Sequence, residues 1–182
     1  GNEEDLRLRD RINMHWPEAE LAIILGQKHE IVGYTLANDF TAIGIETRGR
    51  TQEFDGTYFG KVWQGSCSLG PRVVSSRIPV DNLDIRLMIE RNGDVIYDNS
   101  YNTSRRKRNF DELADLIVKY HREFGDNVPQ SKRIQTENDF LIEGTVILAG
   151  TGLIVPERCY SRKGDYITIY GQPIGELKNR IG

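Results

Sequence analysis

Only two cysteines, Cys67 and Cys159, occur in the 182 residues of this chain. Thiols so few and so far apart exclude a disulfide framework and a thiolate zinc site, and make a reduced, cytoplasmic setting the default expectation. No apolar run approaches the roughly 20 residues that a membrane helix needs. There is no signal-peptide pattern, although the chain begins with Gly1 rather than Met. Basic charge is not in excess: 24 Lys and Arg stand against 27 Asp and Glu, a formal net charge of −3, which argues against a nucleic-acid partner. His15, His29 and His121 share no ligand spacing. Gly150-Thr151-Gly152 is too short for a phosphate loop and has no lysine partner, and no nucleophile elbow is found. Without repeats, low-complexity tracts or a linker, residues 1–182 read as one domain with a sizeable core.

What is present is mostly strand. Leu21 to Leu25 and Glu30 to Ala37 are apolar runs parted by Gly26-Gln27-Lys28-His29, a plausible hairpin. Leu83 to Glu90 alternates apolar and polar residues, then Asn92-Gly93 leads into Val95-Ile96-Tyr97; Asn-Gly is the strongest short hairpin signal, because a type I′ turn needs positive φ at both central positions. Gly144 to Ala149, Tyr166 to Tyr170 and Pro173 to Ile181 read as three more strands. Phe110, Leu113, Ala114, Ile117, Tyr120 and Phe124 form an apolar helical stripe, opened by a capping box of Asn109 and Glu112 and stopped at Gly125. Asp126 to Asn138 is polar and reads as a loop.

The chemistry concentrates in Glu18-Ala19-Glu20 and Asn38-Asp39. On a strand, residues i and i+2 point to one face, so Glu18 and Glu20 project side by side from an otherwise apolar segment. Two carboxylates so placed repel, and one is driven toward protonation unless a cation sits between them. Either both lie on an exposed edge and bind nothing, or they hold a cation. With Asp39 at the end of the neighbouring strand they would supply three hard oxygen ligands, suited to Mg2+ or Mn2+ rather than zinc or copper. Lys61, a lone cation in Phe59-Gly60-Lys61-Val62-Trp63, is expected to have its pKa lowered by partial burial and so to serve as an acid or base. His15, three residues before Glu18, could sit over the same site, though a surface role is the commoner outcome. The run Arg105-Arg106-Lys107-Arg108 could bind an anion or simply be a solvated loop.

Several of these segments together resemble the fumarylacetoacetate hydrolase superfamily, from about His15 to Gly182. Glu18-Ala19-Glu20-Leu21 is similar to its Glu-x-Glu-Leu metal motif, and Gly33-Tyr34 through Asn38-Asp39-Phe40-Thr41 to the segment that brings a third carboxylate. Gly60-Lys61 followed by Ser68-Leu69-Gly70-Pro71 resembles the stretch with its active-site lysine. Gly144 to Gly152 resembles the turn that closes over substrate, and Gly164-Asp165 with Ile174-Gly175-Glu176-Leu177-Lys178-Asn179 its closing strands. Where many relatives follow the Asn-Asp segment with Arg-Asp, Ile43-Gly44 stands here, and the segment from Glu46 to Phe59, with Arg48 and Arg50, is a few residues longer.

The resemblance implies a β-rich α+β fold, a mixed β-roll or sandwich with one or two helices, paired into a homodimer. It also implies a site built on Mg2+, Mn2+ or Ca2+ held by Glu18, Glu20 and Asp39. Lys61 would orient the substrate or move a proton, and Thr151 with the Gly150 amide would bind the substrate carboxylate; His15, Glu46 and Ser104 are further candidates. Ser66 to Pro71, Thr103-Ser104 and Gly150 to Pro156 are most similar to the branch that dehydrates 2-keto-3-deoxy sugar acids of the arabinonate type. A metal-dependent lyase working through a stabilised enolate is therefore expected. A C–C hydrolase or decarboxylase on an acylpyruvate, a fumarylacetoacetate-like or an oxaloacetate-like substrate stays open, as does a catalytically degenerate keto-acid-binding member. The family places an acid/base group and a lid ahead of the Glu-x-Glu strand; with about seventeen residues before Glu18, this chain is expected to lack that segment.

Overall fold

A computed structural model of the chain describes residues 1–49, 56–124 and 143–182. Its strands form two five-stranded sheets. The first contains β1 (Asp5–Leu6), β10 (Gly175–Ile181), β9 (Tyr166–Gly171), β6 (Asp84–Arg91) and β7 (Asp94–Asn102), in that spatial order. The second runs β4 (Cys67–Leu69), β3 (Ile31–Asp39), β2 (Ala19–Leu25) and β8 (Val146–Leu148), with β5 (Val74–Ser75) also paired to β3. Among the described residues, only β1 and β10 pair in parallel; the other ladders are antiparallel.

The core lies between the sheets. Leu21 faces Leu36 and Ile23 faces Tyr34 across the β2–β3 ladder, so one face of this hairpin is continuously apolar. It joins Ile85, Leu87 and Ile89 of β6, Ile167 and Ile169 of β9 and Leu177 and Ile181 of β10 in one buried cluster. Sheet-on-sheet packing of this kind leaves each hairpin a second face for other uses. In β2–β3 that second face carries Glu20, Ala22, Thr35, Ala37 and Asp39.

Both expected hairpins form. Asn92 and Gly93 at the β6–β7 tip have φ of 54° and 88°, the left-handed pair that a type I′ turn requires. β7 continues to Asn102, beyond the expected end at Tyr97, because it is an edge strand whose Asp98, Asn99 and Ser100 face solvent and show no apolar alternation. The last strand starts at Gly175 rather than Pro173, since proline has no N–H to give the ladder.

The expected helix is α3 (Phe110–Phe124), and its capping box is complete: Glu112 N–H donates to Asn109 Oδ1 at 2.8 Å and Asn109 N–H to Glu112 Oε2 at 3.1 Å. Gly125 and the polar stretch Asp126 to Asn138 lie outside the described residues. Two shorter helices that the sequence did not predict, α1 (Ile43–Gly49) and α2 (Gly56–Lys61), overlap the two ends of the longer segment from Glu46 to Phe59; Arg50 is outside the described residues. Arg106 lies over the Phe110 ring and donates through Nε to Thr103 O at 3.0 Å, so it braces the turn into α3, while Arg105, Lys107 and Arg108 are exposed. No helix among the described residues is long and apolar enough to cross a membrane.

Candidate metal centre

Antiparallel register gathers the acidic residues. Glu20 pairs with Ala37, so Asp39, two residues on, shares its face. Asp39 N–H donates to Glu18 O at 3.0 Å, which sets Glu18 beside Asp39 just ahead of β2. One carboxylate oxygen each from Glu18, Glu20 and Asp39 lies within 4.8 Å of the others. The edge reading, in which these carboxylates are merely solvated, is excluded for Glu20, which is 2% exposed.

Lys61 reaches this cluster from the last turn of α2. Ala42 N–H donates to Gly60 O at 2.8 Å, and a Cβ at Gly60 would stand 3.1 Å from Glu46 Cβ and 3.2 Å from Glu46 N, so a side chain at residue 60 would press α2 away from α1. The Lys61 ammonium then donates to Asp39 Oδ2 at 2.7 Å, Thr41 Oγ1 at 2.8 Å and Glu18 Oε2 at 3.0 Å. Burial alone would lower the Lys61 pKa, as expected from its aromatic surroundings. The hydrogen bond to Asp39 and the negative charges of Glu18 and Asp39 outweigh that cost, and the pKa is raised. Lys61 is therefore a held ammonium, not a poised neutral amine.

Like charges and burial act on the carboxylates in the direction anticipated from their spacing. Glu20 is pushed up to about 8, chiefly by burial, with Asp39 and Glu18 adding to the rise while the Gly150 amide and Lys61 oppose it. Asp39 is also raised, by burial first, against the pull of Lys61; Glu18 and Glu46 contribute to the rise. A buried pair of this kind calls for added positive charge.

Gly150 holds a left-handed φ of 84°, which turns its N–H onto Glu20 Oε2 at 2.7 Å. That amide is thereby committed to Glu20 and is not the substrate donor expected from the sequence. Thr151 Oγ1 accepts Leu153 N–H at 3.2 Å and keeps its own hydrogen to donate. Tyr101, which the sequence did not single out, donates to Ala19 O at 3.2 Å and Gly150 O at 3.5 Å and so packs the turn against β2. Burial, reinforced by the nearby Glu20 charge, raises its pKa.

Trp16 and Thr41 were also missed. They pair as an isolated bridge, each N–H donating to the other's carbonyl at 3.0 Å. Trp16 Nε1–H donates to Glu18 Oε1 at 2.9 Å, and Thr41 Oγ1 takes the Lys61 ammonium while donating to its neighbour Asp39 O at 3.1 Å. A lone tryptophan two residues before Glu18 carries no spacing signal; Thr41 could have been found as the hydroxyl closing the Asn38-Asp39-Phe40-Thr41 segment.

Two candidates fall away. His15 is neither over the site nor on the surface: it is 0% exposed, stacked on Phe40 at 5.5 Å and edge-on to Trp63 at 5.9 Å. Its Nε2 accepts Arg9 N–H at 3.0 Å, and burial, with Arg9, lowers its pKa to about 4, so it is a neutral core histidine. Ser104 is exposed in a 3-10 turn over Thr103–Arg105, its amide bonded to Asn102 Oδ1 at 2.9 Å, and nothing among the described residues ties it to the carboxylates. Glu46 stays near the site through its influence on Asp39.

The fumarylacetoacetate (FAA) hydrolase C-terminal family matches residues 1–182. This chain belongs to the fumarylacetoacetate hydrolase family. Among curated members it is similar to a probable 2-keto-3-deoxyxylonate dehydratase of Haloferax volcanii, 36% identical over 168 residues, covering 91% of this chain and 50% of the relative. It is also similar to a 2-dehydro-3-deoxy-D-arabinonate dehydratase of Saccharolobus solfataricus, 30% identical over 182 residues, covering 97% and 53% respectively. The chain thus spans about half the length of these relatives. A solved structure of 2-keto-3-deoxy-D-arabinonate dehydratase complexed with magnesium and 2,5-dioxopentanoate superposes over 100% of this chain and 57% of that one, with a TM-score of 0.82 and 26% identity. The β-rich fumarylacetoacetate-hydrolase-like fold is therefore as expected. The donor set here fits a hard divalent cation on its own chemistry: three carboxylate oxygens within reach of one ion, in surroundings that disfavour their bare charge.

Proposed function

We propose that this chain carries the site of a divalent-metal-dependent dehydratase acting on a 2-keto-3-deoxy sugar acid. The observation that carries this reading is the convergence of Glu18, Glu20, Asp39 and Lys61 on one face of the β2–β3 hairpin. The two dehydratases among its relatives, and the magnesium in a related structure, support it. Glu18, Glu20 and Asp39 would hold Mg2+, with Mn2+ or Ca2+ as substitutes. When bound, such an ion would supply Lewis acidity at the 2-keto oxygen, which makes the C3–H more acidic.

The remaining roles fall to the chain's own groups. Lys61, kept as an ammonium by its two carboxylates, is a donor: it orients a substrate oxygen or protonates the departing hydroxyl, and is not a base. Thr151 offers its hydroxyl hydrogen to the substrate carboxylate. Gly150 acts indirectly, by fixing which oxygen of Glu20 faces the site. The cytoplasmic setting and the homodimer implied by the family resemblance belong to this reading.

The test is a panel of 2-keto-3-deoxypentonates and acylpyruvates assayed with and without Mg2+. Mg2+-dependent loss of water from a pentonate is expected. Cleavage of acylpyruvates in its place would move the assignment to C–C hydrolysis, and Mg2+ binding without any turnover would mark a keto-acid-binding member.

A further inference from the structure

The pairing of β8 with β2 ends where Ala149 N–H donates to Leu21 O at 3.0 Å. Past that bond the chain passes Glu20 through Gly150, Thr151 and Gly152, and contacts from β7 hold it there. β7 belongs to the other sheet, opposite the strands that carry the carboxylates. Tyr101 hydroxyl reaches Gly150 O, Tyr97 hydroxyl donates to Ile154 O at 3.4 Å, and Cys159 Sγ donates back to Ile96 O at 3.2 Å. The segment from Gly150 to Cys159 is thus carried along β7 at three points.

Tyr101 meets this segment twice. Its hydroxyl has one hydrogen, shared between Ala19 O at 3.2 Å and Gly150 O at 3.5 Å. The first acceptor adjoins Glu20 in the chain; the second belongs to the residue whose N–H donates to Glu20 Oε2 at 2.7 Å. Its ring backs Gly152: a Cβ there would stand 2.6 Å from Tyr101 Cδ2 and 2.7 Å from Cγ, so any larger residue would displace the turn from the ring. Thr151 lies between these two contacts. Tyr101 is itself buried in the core cluster and has little room to follow a turn that moves.

Resting on the metal reading above, we propose that Tyr101 is a positioning residue that links the two halves of the site. It orients Glu20 through the Gly150 amide, and Thr151 through the Gly150–Gly152 backbone. Groups that orient a metal ligand from behind change the affinity for the ion although they never touch it. Here the same side chain also sets the hydroxyl that meets the substrate carboxylate. Loss of the Tyr101 hydroxyl releases the Gly150 carbonyl, so Glu20 and Thr151 lose their alignment together.

The experiment measures the dissociation constants of Mg2+, and of pyruvate at saturating Mg2+, by isothermal titration. It compares the wild-type chain with Tyr101→Phe, Thr151→Val and the double variant, each shown to be folded by circular dichroism. Tyr101→Phe is expected to weaken Mg2+ and pyruvate by about five-fold each. Thr151→Val should weaken pyruvate alone, and by less beside Tyr101→Phe than in the wild type, because a misplaced hydroxyl has less to lose. Gly152→Ala presses the turn off the ring with the Tyr101 hydroxyl kept; it should reproduce both losses, and it replaces Tyr101→Phe should that variant not fold. A tyrosine that only packs the core would lower the melting temperature, leave both constants unchanged and add to Thr151→Val without coupling. That outcome overturns the proposal while the metal site stands. A wild-type chain that binds neither Mg2+ nor pyruvate overturns the metal reading, and the role of Tyr101 with it.

Discussion

Lys61 Nζ lies 2.7 Å from Asp39 Oδ2 while the same ammonium meets Glu18 at 3.0 Å, so one lysine neutralises two carboxylates that the β2–β3 register forces together. Lys61→Met leaves those charges without their cation. Because these side chains are partly hydrated, the loss of stability is expected at about 1–3 kcal/mol, below that of a fully buried pair. Saturating Mg2+ should return most of it, and turnover should fall about 100-fold or more for want of the donor. Urea unfolding with and without Mg2+ checks the first part. A metal-free variant as stable as the wild type would contradict the pairing.

Glu20 makes the metal-free chain sensitive to alkali. Its carboxyl titrates near 8 when folded against an ordinary 4.5 when unfolded, so the folded state holds the extra proton between those values and stability declines as pH rises through them. Above pH 6.5 the buried His15 no longer contributes, and the decline from there to pH 8 should approach 2 kcal/mol, that is, about 1.4 kcal/mol per pH unit. Glu20→Gln should flatten this slope, and ion binding to the wild type should release a proton near neutral pH. Unfolding free energies across the range, together with titrations in buffers of different ionisation enthalpy, provide the readout.

His15 works in the opposite direction and away from the chemistry. Held neutral with its pKa near 4, it contributes stability above its ordinary 6.5 that is lost as pH falls toward 4. His15→Gln is expected to be less stable at pH 7 by about 1–3 kcal/mol through lost packing. That deficit should shrink on acidification, with Mg2+ affinity within about two-fold of wild type. A large loss of metal binding in a folded His15 variant would return this residue to the site.

Thr151→Val removes the hydroxyl and keeps the shape. With the carboxylate of the keto acid as its partner, KM should rise about ten-fold while the Mg2+ dissociation constant stays put. An unchanged KM would contradict the assignment.

Much of this arrangement was legible because it is local. The Asn92-Gly93 turn, the Asn109/Glu112 capping box and the Glu18-Ala19-Glu20 spacing each express their geometry within four residues of sequence. What could not be read depends on contacts across the fold. Gly150 meets Glu20 over a separation of 130 residues, and the Trp16–Thr41 bridge is a single pair with no pattern around it. The charge state of Lys61 escapes the sequence for the same reason: burial is visible in its aromatic neighbours, but the two carboxylates that reverse its effect come from just ahead of β2 and from the end of β3. His15 lay close to Glu18 in sequence yet turns inward against Phe40, a direction that proximity along the chain does not reveal.

The most direct measurement is anomalous diffraction at the manganese edge from crystals of this chain soaked with Mn2+ and pyruvate, the smallest 2-keto acid. The expected result is one peak bonded to Glu18, Glu20 and Asp39 at close to the about 2.1 Å of a magnesium–oxygen bond, with the pyruvate carboxylate and keto oxygens turned toward it. A peak elsewhere, or none while the three carboxylates remain ordered, would contradict the metal centre and the function built on it.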